Sequence, residues 1–526
     1  MRKRPVSKSI RSARLGALIL LAPMLVSLQG CTNLDENPTS SITPGNFYRN
    51  EAEVLGGIAA VYSDLTSQNL LWGYYNVSEI SSDEMIVPTR GQDWYDNGRW
   101  LEIHRQAWTA NSPAGLDDIN GIWEISFRGV ARANVVLDAL QRVDVPNEAA
   151  YVAELRTLRA FYYYVLMDTF GGVQIVTDIE IKPRARNTRA EVFQFIETEL
   201  KEASADLPAT RPAAENGRVT KGVTDAILAN MYLNAGVFAK DAGVSATSHN
   251  SCQGVSVSGG VDACQAAIDA VDRILNSGVY QLADTFFKNF RADNRVGPEN
   301  IFVAKHLNVA GLGLTFVNRA LHYRQFNPDP WNGFSALAQT YNAFDANDQR
   351  RRIFLVGPQV NVETGLPVND RAGNLLVFSV TINDATKATE GEGARIYKWP
   401  ADPNHVAEDN GNDFAFFRLA EMYLIKAEAL NEQSPGSAAA LALVNTLRAR
   451  AFDPDQPLAA IDRAALLRER LFELTAELKR RQDLIRHGRY IEAWEFKTAG
   501  SPRLLLLPIP QRQMDANPLL VQNTDY

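Results

Sequence analysis

The eleven residues from Arg90 to Trp100 carry two tryptophans, Trp94 and Trp100, one tyrosine, Tyr95, and six polar side chains, interrupted by Gly91 and Gly98. Flat apolar rings of this kind stack on sugar rings, and amides, carboxylates and guanidiniums around them meet the hydroxyls. Arg90, Trp94, Tyr95, Asp96 and Trp100 are therefore candidate ligand-binding residues, on a stretch whose glycines predict a loop. The same letters also fit tryptophans that plug a helical frame while the polar residues form turns. A second cluster, His322-Tyr323-Arg324 with Trp331-Asn332-Gly333-Phe334, repeats the mixture, and Tyr323 and Trp331 are its candidates.

Two carboxylate pairs, Asp83-Glu84 and Asp117-Asp118, invite a hydrolytic reading. Glycoside cleavage needs two carboxyls roughly 5–10 Å apart across a cleft. Adjacent residues on a helix or strand point in different directions, so neither pair meets that need alone. There is no glycine-rich phosphate loop and no nucleophile-elbow serine, and the six histidines are scattered. No catalytic residue, metal or cofactor is expected.

The N-terminus carries six basic residues and no acidic one before an apolar run, Leu15 to Leu28, that ends in Gln29-Gly30-Cys31. That order predicts a secretory signal over 1–30, with Cys31 acylated as in lipoproteins. Each buried methylene contributes about 0.8 kcal/mol, so two or more acyl chains hold a protein at a membrane. Removing the six signal bases leaves 47 basic against 61 acidic side chains, a net charge of −14. Such a surface argues against nucleic acid or anionic lipid as a partner. In an exported protein Cys252 and Cys264, around a Ser/Gly-rich loop, predict a local disulfide.

Behind Cys31 a polar tether is expected over 31–45, and the rest reads mainly α-helical. Apolar residues recur at three- and four-residue spacing over 51–68, 117–141, 148–170, 189–206, 221–240, 262–277, 414–432, 437–451 and 462–488. In the last of these Leu467, Leu471, Leu474 and Leu478 share one stripe. Successive short helices predict stacked hairpins of tetratricopeptide type. Over 278–412 the periodicity fades into loops and short strands. An N-terminal region, 46–277, and a C-terminal region, 278–526, are expected to form one compact unit.

Four segments carry a family resemblance. They are Leu158-Arg159-Ala160-Phe161-Tyr162-Tyr163-Tyr164 with Thr169-Phe170-Gly171-Gly172-Val173; Arg418-Leu419-Ala420-Glu421-Met422-Tyr423 through Ala429-Leu430; Arg468-Glu469-Arg470-Leu471-Phe472-Glu473-Leu474 with Arg481-Gln482-Asp483-Leu484; and Leu507-Pro508-Ile509-Pro510 with Asn517-Pro518-Leu519-Leu520. In this order the chain resembles the SusD/RagB family of nutrient-binding outer-membrane lipoproteins. Gln174 departs from the proline common after Gly-Gly-Val in that family. Within these motifs Glu421 and Glu428 sit on a helix near Arg418 and Lys426, where three- and four-residue spacing allows ion pairs, each worth only about 0.2–0.5 kcal/mol if exposed.

The resemblance implies a non-enzymatic, surface-exposed lipoprotein that captures an oligosaccharide and passes it to a SusC-like TonB-dependent outer-membrane transporter. Two other classes stay open: a cell-surface glycan hydrolase, and a peptide-binding or adhesive lipoprotein.

Overall fold

The computed structural model describes residues 47–294 and 297–526; the expected signal, Cys31 and the tether lie outside the described residues. The first half forms α1 (Glu51–Ser67), α2 (Tyr74–Ile80), β1 (Met85–Ile86), α3 (Arg99–His104), α4 (Asn120–Leu140), α5 (Glu148–Phe170), α6 (Arg189–Asp206), α7 (Lys221–Leu233), α8 (Ala235–Phe238) and α9 (Ala263–Asn276). Short elements follow: β2 (Asn300–Ala304), α10 (Phe316–Ala320), β3 (Ser335–Ala336), α11 (Ala338–Ala343), β4 (Phe354–Leu355), β5 (Gly357–Pro358), β6 (Val377–Phe378), β7 (Arg395–Ile396) and β8 (Phe414–Arg418). Then come α12 (Leu419–Gln433), α13 (Ala438–Ala449), α14 (Arg463–Leu474), α15 (Arg480–Arg486) and α16 (Gln511–Ala516).

The scaffold is mainly α, a set of helical hairpins of tetratricopeptide type. Helix α5 is its axis, packed between α4 and α6, while α7 packs on α9 and α12 on α13. Every residue of α5 from Thr157 to Phe170 is buried, so no face of it is left for solvent. Its tyrosines place their hydroxyls on buried acceptors: Tyr162 donates to the Val61 carbonyl at 2.6 Å and Tyr164 to Asn230 Oδ1 at 2.8 Å. Gly171, at φ +74°, ends the helix. Helix α6 starts on a capping box in which Thr188 and Glu191 satisfy each other's backbone N–H groups. Cys252 and Cys264 are joined in a disulfide.

Three expectations change. Residues 414–418 are strand, not helix: this phenylalanine-rich segment suits a pleated surface and pairs antiparallel with β2. The helix expected over 462–488 breaks after Leu474, because Ala476 and Leu478 turn left-handed at φ +64° and +66°. Their N–H groups are captured by carboxylates instead of helix carbonyls: Ala476 donates to Glu84 Oε2 at 2.9 Å and Leu478 to Glu79 Oε1. Leu478 therefore leaves the stripe of Leu467, Leu471 and Leu474.

The third change concerns charge. Glu421 and Glu428 are buried, and their partners come from elsewhere: Lys479 Nζ lies 3.0 Å from Glu421, and Arg486 Nε 2.7 Å from Glu428. A larger network surrounds Arg418, whose guanidinium meets Glu299 at 2.8 Å, Glu473 at 2.7 Å and Glu477 at 2.6 Å, all out of solvent. Arg350 and Arg450 close the ring on Glu473 at 3.0 and 2.5 Å. Three guanidiniums hold the Glu473 carboxyl far below its ordinary range despite its burial.

Glu79 and Glu84 behave oppositely. Burial pushes Glu79 up to about 7 and Glu84 well above the carboxylate range, the latter also through its proximity to Glu79. As pH rises from about 4.5 the unfolded chain releases these protons while the fold retains them, so stability falls up to and through neutrality, by at most about 1.4 kcal/mol per pH unit for each proton. Glu79→Gln keeps an acceptor for Leu478 and removes one such proton. Denaturant midpoints measured at pH 5 and pH 8 are expected to differ less in this variant than in the parent, and an unchanged difference contradicts the assignment.

Candidate functional site

The four-stranded sheet runs β1-β3-β7-β4, with Met85 opposite Ala336 and Ser335 opposite Arg395. It thereby draws three distant segments together: the loop behind β1, the turn ahead of β3 and the loop ahead of β7. The two aromatic clusters of the sequence meet there.

The 90–98 loop turns tightly because Arg90 and Asp93 exchange backbone hydrogen bonds at 3.0 and 3.1 Å. Trp94, Asp96, Asn97 and Gly98 then follow with positive φ. This run rolls Trp94 onto the second cluster, where its indole Nε1 donates to the Trp331 carbonyl at 2.6 Å. Its ring lies 6.4 Å from Trp331, 5.1 Å from Trp100 and 5.6 Å from Phe334, centroid to centroid. Gly333 makes that approach possible: a Cβ there would stand 2.4 Å from the Trp94 ring.

These aromatics divide into support and surface. Trp100 is 1 % exposed, donates to Asp96 Oδ2 at 2.6 Å and stacks under the Arg99 guanidinium at 4.3 Å, so it buttresses Trp94 from below. Trp94 and Trp331 are half-buried, and Tyr95 is 58 % exposed, with its ring open to solvent. Tyr323 is half-buried; its hydroxyl donates to Asp93 Oδ2 at 2.5 Å and its ring carries the Arg371 guanidinium at 3.9 Å. Burial and then Asp93 push the Tyr323 phenol up to about 12, which keeps it a neutral donor.

Arg90 has a structural task. It is 4 % exposed, and it donates to the Asn332 carbonyl at 2.9 Å, the Glu392 carbonyl at 2.7 Å, Ser335 Oγ at 3.1 Å and the Thr389 carbonyl. Arg395 works beside it, donating to the Glu390 and Glu392 carbonyls at 2.7 Å each and to Asn332 Oδ1 at 2.8 Å. Two arginines thus clasp the loops through their backbones. Burial, then the neighbouring Arg90, lower the Arg395 guanidinium from its ordinary value.

A cavity of 680 Å³ opens where Arg90, Gly91 and Tyr323 border the 370–392 segment. Its walls present Asp370, Arg371, Asn383, Thr389, Glu390 and Glu392. Arg371 bridges the two sides, 3.4 Å from Asp93 and 3.6 Å from Glu390, and Glu390 in turn lies 2.9 Å from His322. Sequence reasoning missed this wall because it holds no aromatic; its only signal was the polar turn Asp370-Arg371-Ala372-Gly373-Asn374. It also missed Trp72, 49 % exposed, which adjoins the Leu71 carbonyl that Arg99 holds at 2.8 Å. Cavity and platform together offer ring faces beside hydroxyl-seeking polar groups, the chemistry of a saccharide site.

Comparison with known proteins agrees with the architecture. The family model described as "SusD family" matches residues 334–526, and the one described as "Starch-binding associating with outer membrane" matches residues 57–233. SusD-like protein P25 of Formosa agariphila is 24 % identical, with 96 % of this chain and 98 % of that protein covered. The starch-binding protein SusD of Bacteroides thetaiotaomicron is 23 % identical over the same shares. Among solved structures, a laminarin-binding SusD-like protein superposes with a TM-score of 0.72 at 22 % identity, covering 91 % of this chain and all of that one. Surface glycan-binding protein A of Bacteroides thetaiotaomicron, in complex with laminarihexaose, gives 0.69 at 20 % identity over 90 % of this chain and 99 % of that one. With both family models in place and relatives matched along almost the whole length, the chain belongs to the SusD/RagB family.

Proposed function

We propose that the protein is a surface-exposed, lipid-anchored component of the outer membrane that binds a nutrient oligosaccharide without cleaving it. It then passes the ligand to a SusC-like TonB-dependent transporter. The observation that carries this reading is the platform of Trp94 and Trp331, with Tyr95 open to solvent, beside a polar cavity large enough for a few sugar rings. Relatives described as binding starch and laminarin support a glycan as the ligand, and a family description naming the outer membrane supports the location. An anchor at Cys31 and a tether over 31–45 suit a protein held at one edge over a transporter mouth.

The test is calorimetric titration of the purified protein against plant, algal and microbial glycans, with each mixture assayed for new reducing ends. Saturable binding without new ends is expected. New reducing ends would move the protein to the hydrolases, and protection of peptides but not glycans would move it to the peptide binders. Copurification of a TonB-dependent barrel with the tagged protein from native membranes tests the partner, and its absence removes the delivery step.

A further inference from the structure

A second cavity, of 650 Å³, shares no lining residue with the first. It lies where the Gly171-Gly172 turn, the start of α6, the Lys240 segment and the chain's last residues meet. Four cations border it: Arg186, Arg189, Lys240 and Arg503. Among the described residues Arg186 donates only to neutral acceptors, the Gly172 and Val521 carbonyls at 2.7 and 2.6 Å and Asn523 Oδ1 at 2.7 Å among them. Arg503 lies over the Tyr526 ring at 4.6 Å, and neither it nor Lys240 makes an ion pair among the described residues.

Arg189 is the decisive group. It is 7 % exposed, yet among the described residues its guanidinium has no ion pair and no hydrogen bond, only the Phe238 ring at 5.0 Å, and its Nε is buried without a partner. The carboxylates at hand are committed or peripheral. Asp168 is paired with Arg481 at 3.1 Å, Asp241 accepts the Ala190 N–H at 3.0 Å from the exposed rim, and Asp525 is exposed. Other buried arginines, such as Arg418 and Arg395, are met by carboxylates or carbonyls. A buried guanidinium is costly unless charge and hydrogen bonds are restored. Among the described residues no acceptor meets the Nη groups of Arg189, which are not sealed off as Nε is and are left to what occupies the cavity.

We infer that this cavity is a second binding site, for a small organic anion whose carboxylate, sulfate or phosphate group docks on Arg189. Guanidiniums suit such groups because their planar fork matches two oxygens at once. Lys240 and Arg503 add positive potential at the mouth, and Leu506 and Val521 give the body of the ligand an apolar wall. The site does not depend on the saccharide reading of the Trp94 platform.

Purified full-length protein in non-ionic detergent is titrated with glucuronate, sodium sulfate and glucose 6-phosphate, with glucose as the neutral control. At least one anion is expected to bind saturably and to raise the thermal midpoint, while glucose does neither at this site. Which anion binds best identifies the group as carboxylate, sulfate or phosphate. Arg189→Met is expected to lower affinity by about tenfold or more, in line with the loss of charge-assisted hydrogen bonds. It also removes an unpaired buried charge, so the fold is retained. Lys240→Met, at a half-buried position, lowers affinity by a smaller factor, and Trp94→Ala leaves it unchanged. Failure of all three anions to bind overturns the inference, as does binding that survives Arg189→Met undiminished.

Discussion

Trp94→Ala is expected to remove measurable saccharide binding at concentrations that saturate the parent protein. A central aromatic anchor contributes about 2–4 kcal/mol, so affinity falls roughly 30- to 1,000-fold. The loss has two sources. The indole face itself goes, and so does the 2.6 Å bond that fixes the Trp331 carbonyl and with it the second ring. Trp94→Phe keeps a ring but not the donor, and is expected to fall between the two. Calorimetry on all three proteins checks the order, with thermal midpoints as the folding control. If Trp94→Ala binds glycans like the parent, the platform is not the site.

The second large effect is on stability. Arg418→Met is expected to cost about 3–5 kcal/mol, because it leaves Glu299, Glu473 and Glu477 buried around a lost counter-charge. A surface pair contributes at most about 1 kcal/mol, so the size of the loss separates the two cases. Denaturant melts of Arg418→Met and of Arg418→Met/Glu477→Gln provide the measurement. The double variant should recover part of the loss, since one stranded carboxylate becomes neutral. A single-variant cost below about 1 kcal/mol would show that Arg450, Arg350 and Lys398 hold the carboxylates without Arg418.

The helical frame was legible because its periodicity is local: α1, α5, α6, α9 and α13 lie within a residue or two of the apolar patterns that announce them, and α4 within three. The failures share a cause, in that they depend on groups remote in sequence. The break at Ala476 and Leu478 comes from carboxylates almost 400 residues earlier. The burial of Glu421 and Glu428 comes from cations on other elements, which helix spacing cannot reveal. Strand β8 is set by its pairing with β2, over 100 residues upstream. At the candidate site the residue types were visible in the letters, but their division of labour was not. Trp94 and Trp100 are the same residue in a sequence, and only the neighbours show that one stays half-buried while the other is fully buried against it.

The clasp formed by Arg90 and Arg395 bears on how such a protein changes its diet. Most of its hydrogen bonds end on peptide carbonyls, which every residue possesses whatever its side chain. Residues such as Arg371, Thr389 and Glu390 can therefore be exchanged while the loops beneath them stay pinned. Selection, or an engineer, could rewrite the cavity-lining letters of this rim one at a time without first rebuilding what holds it up.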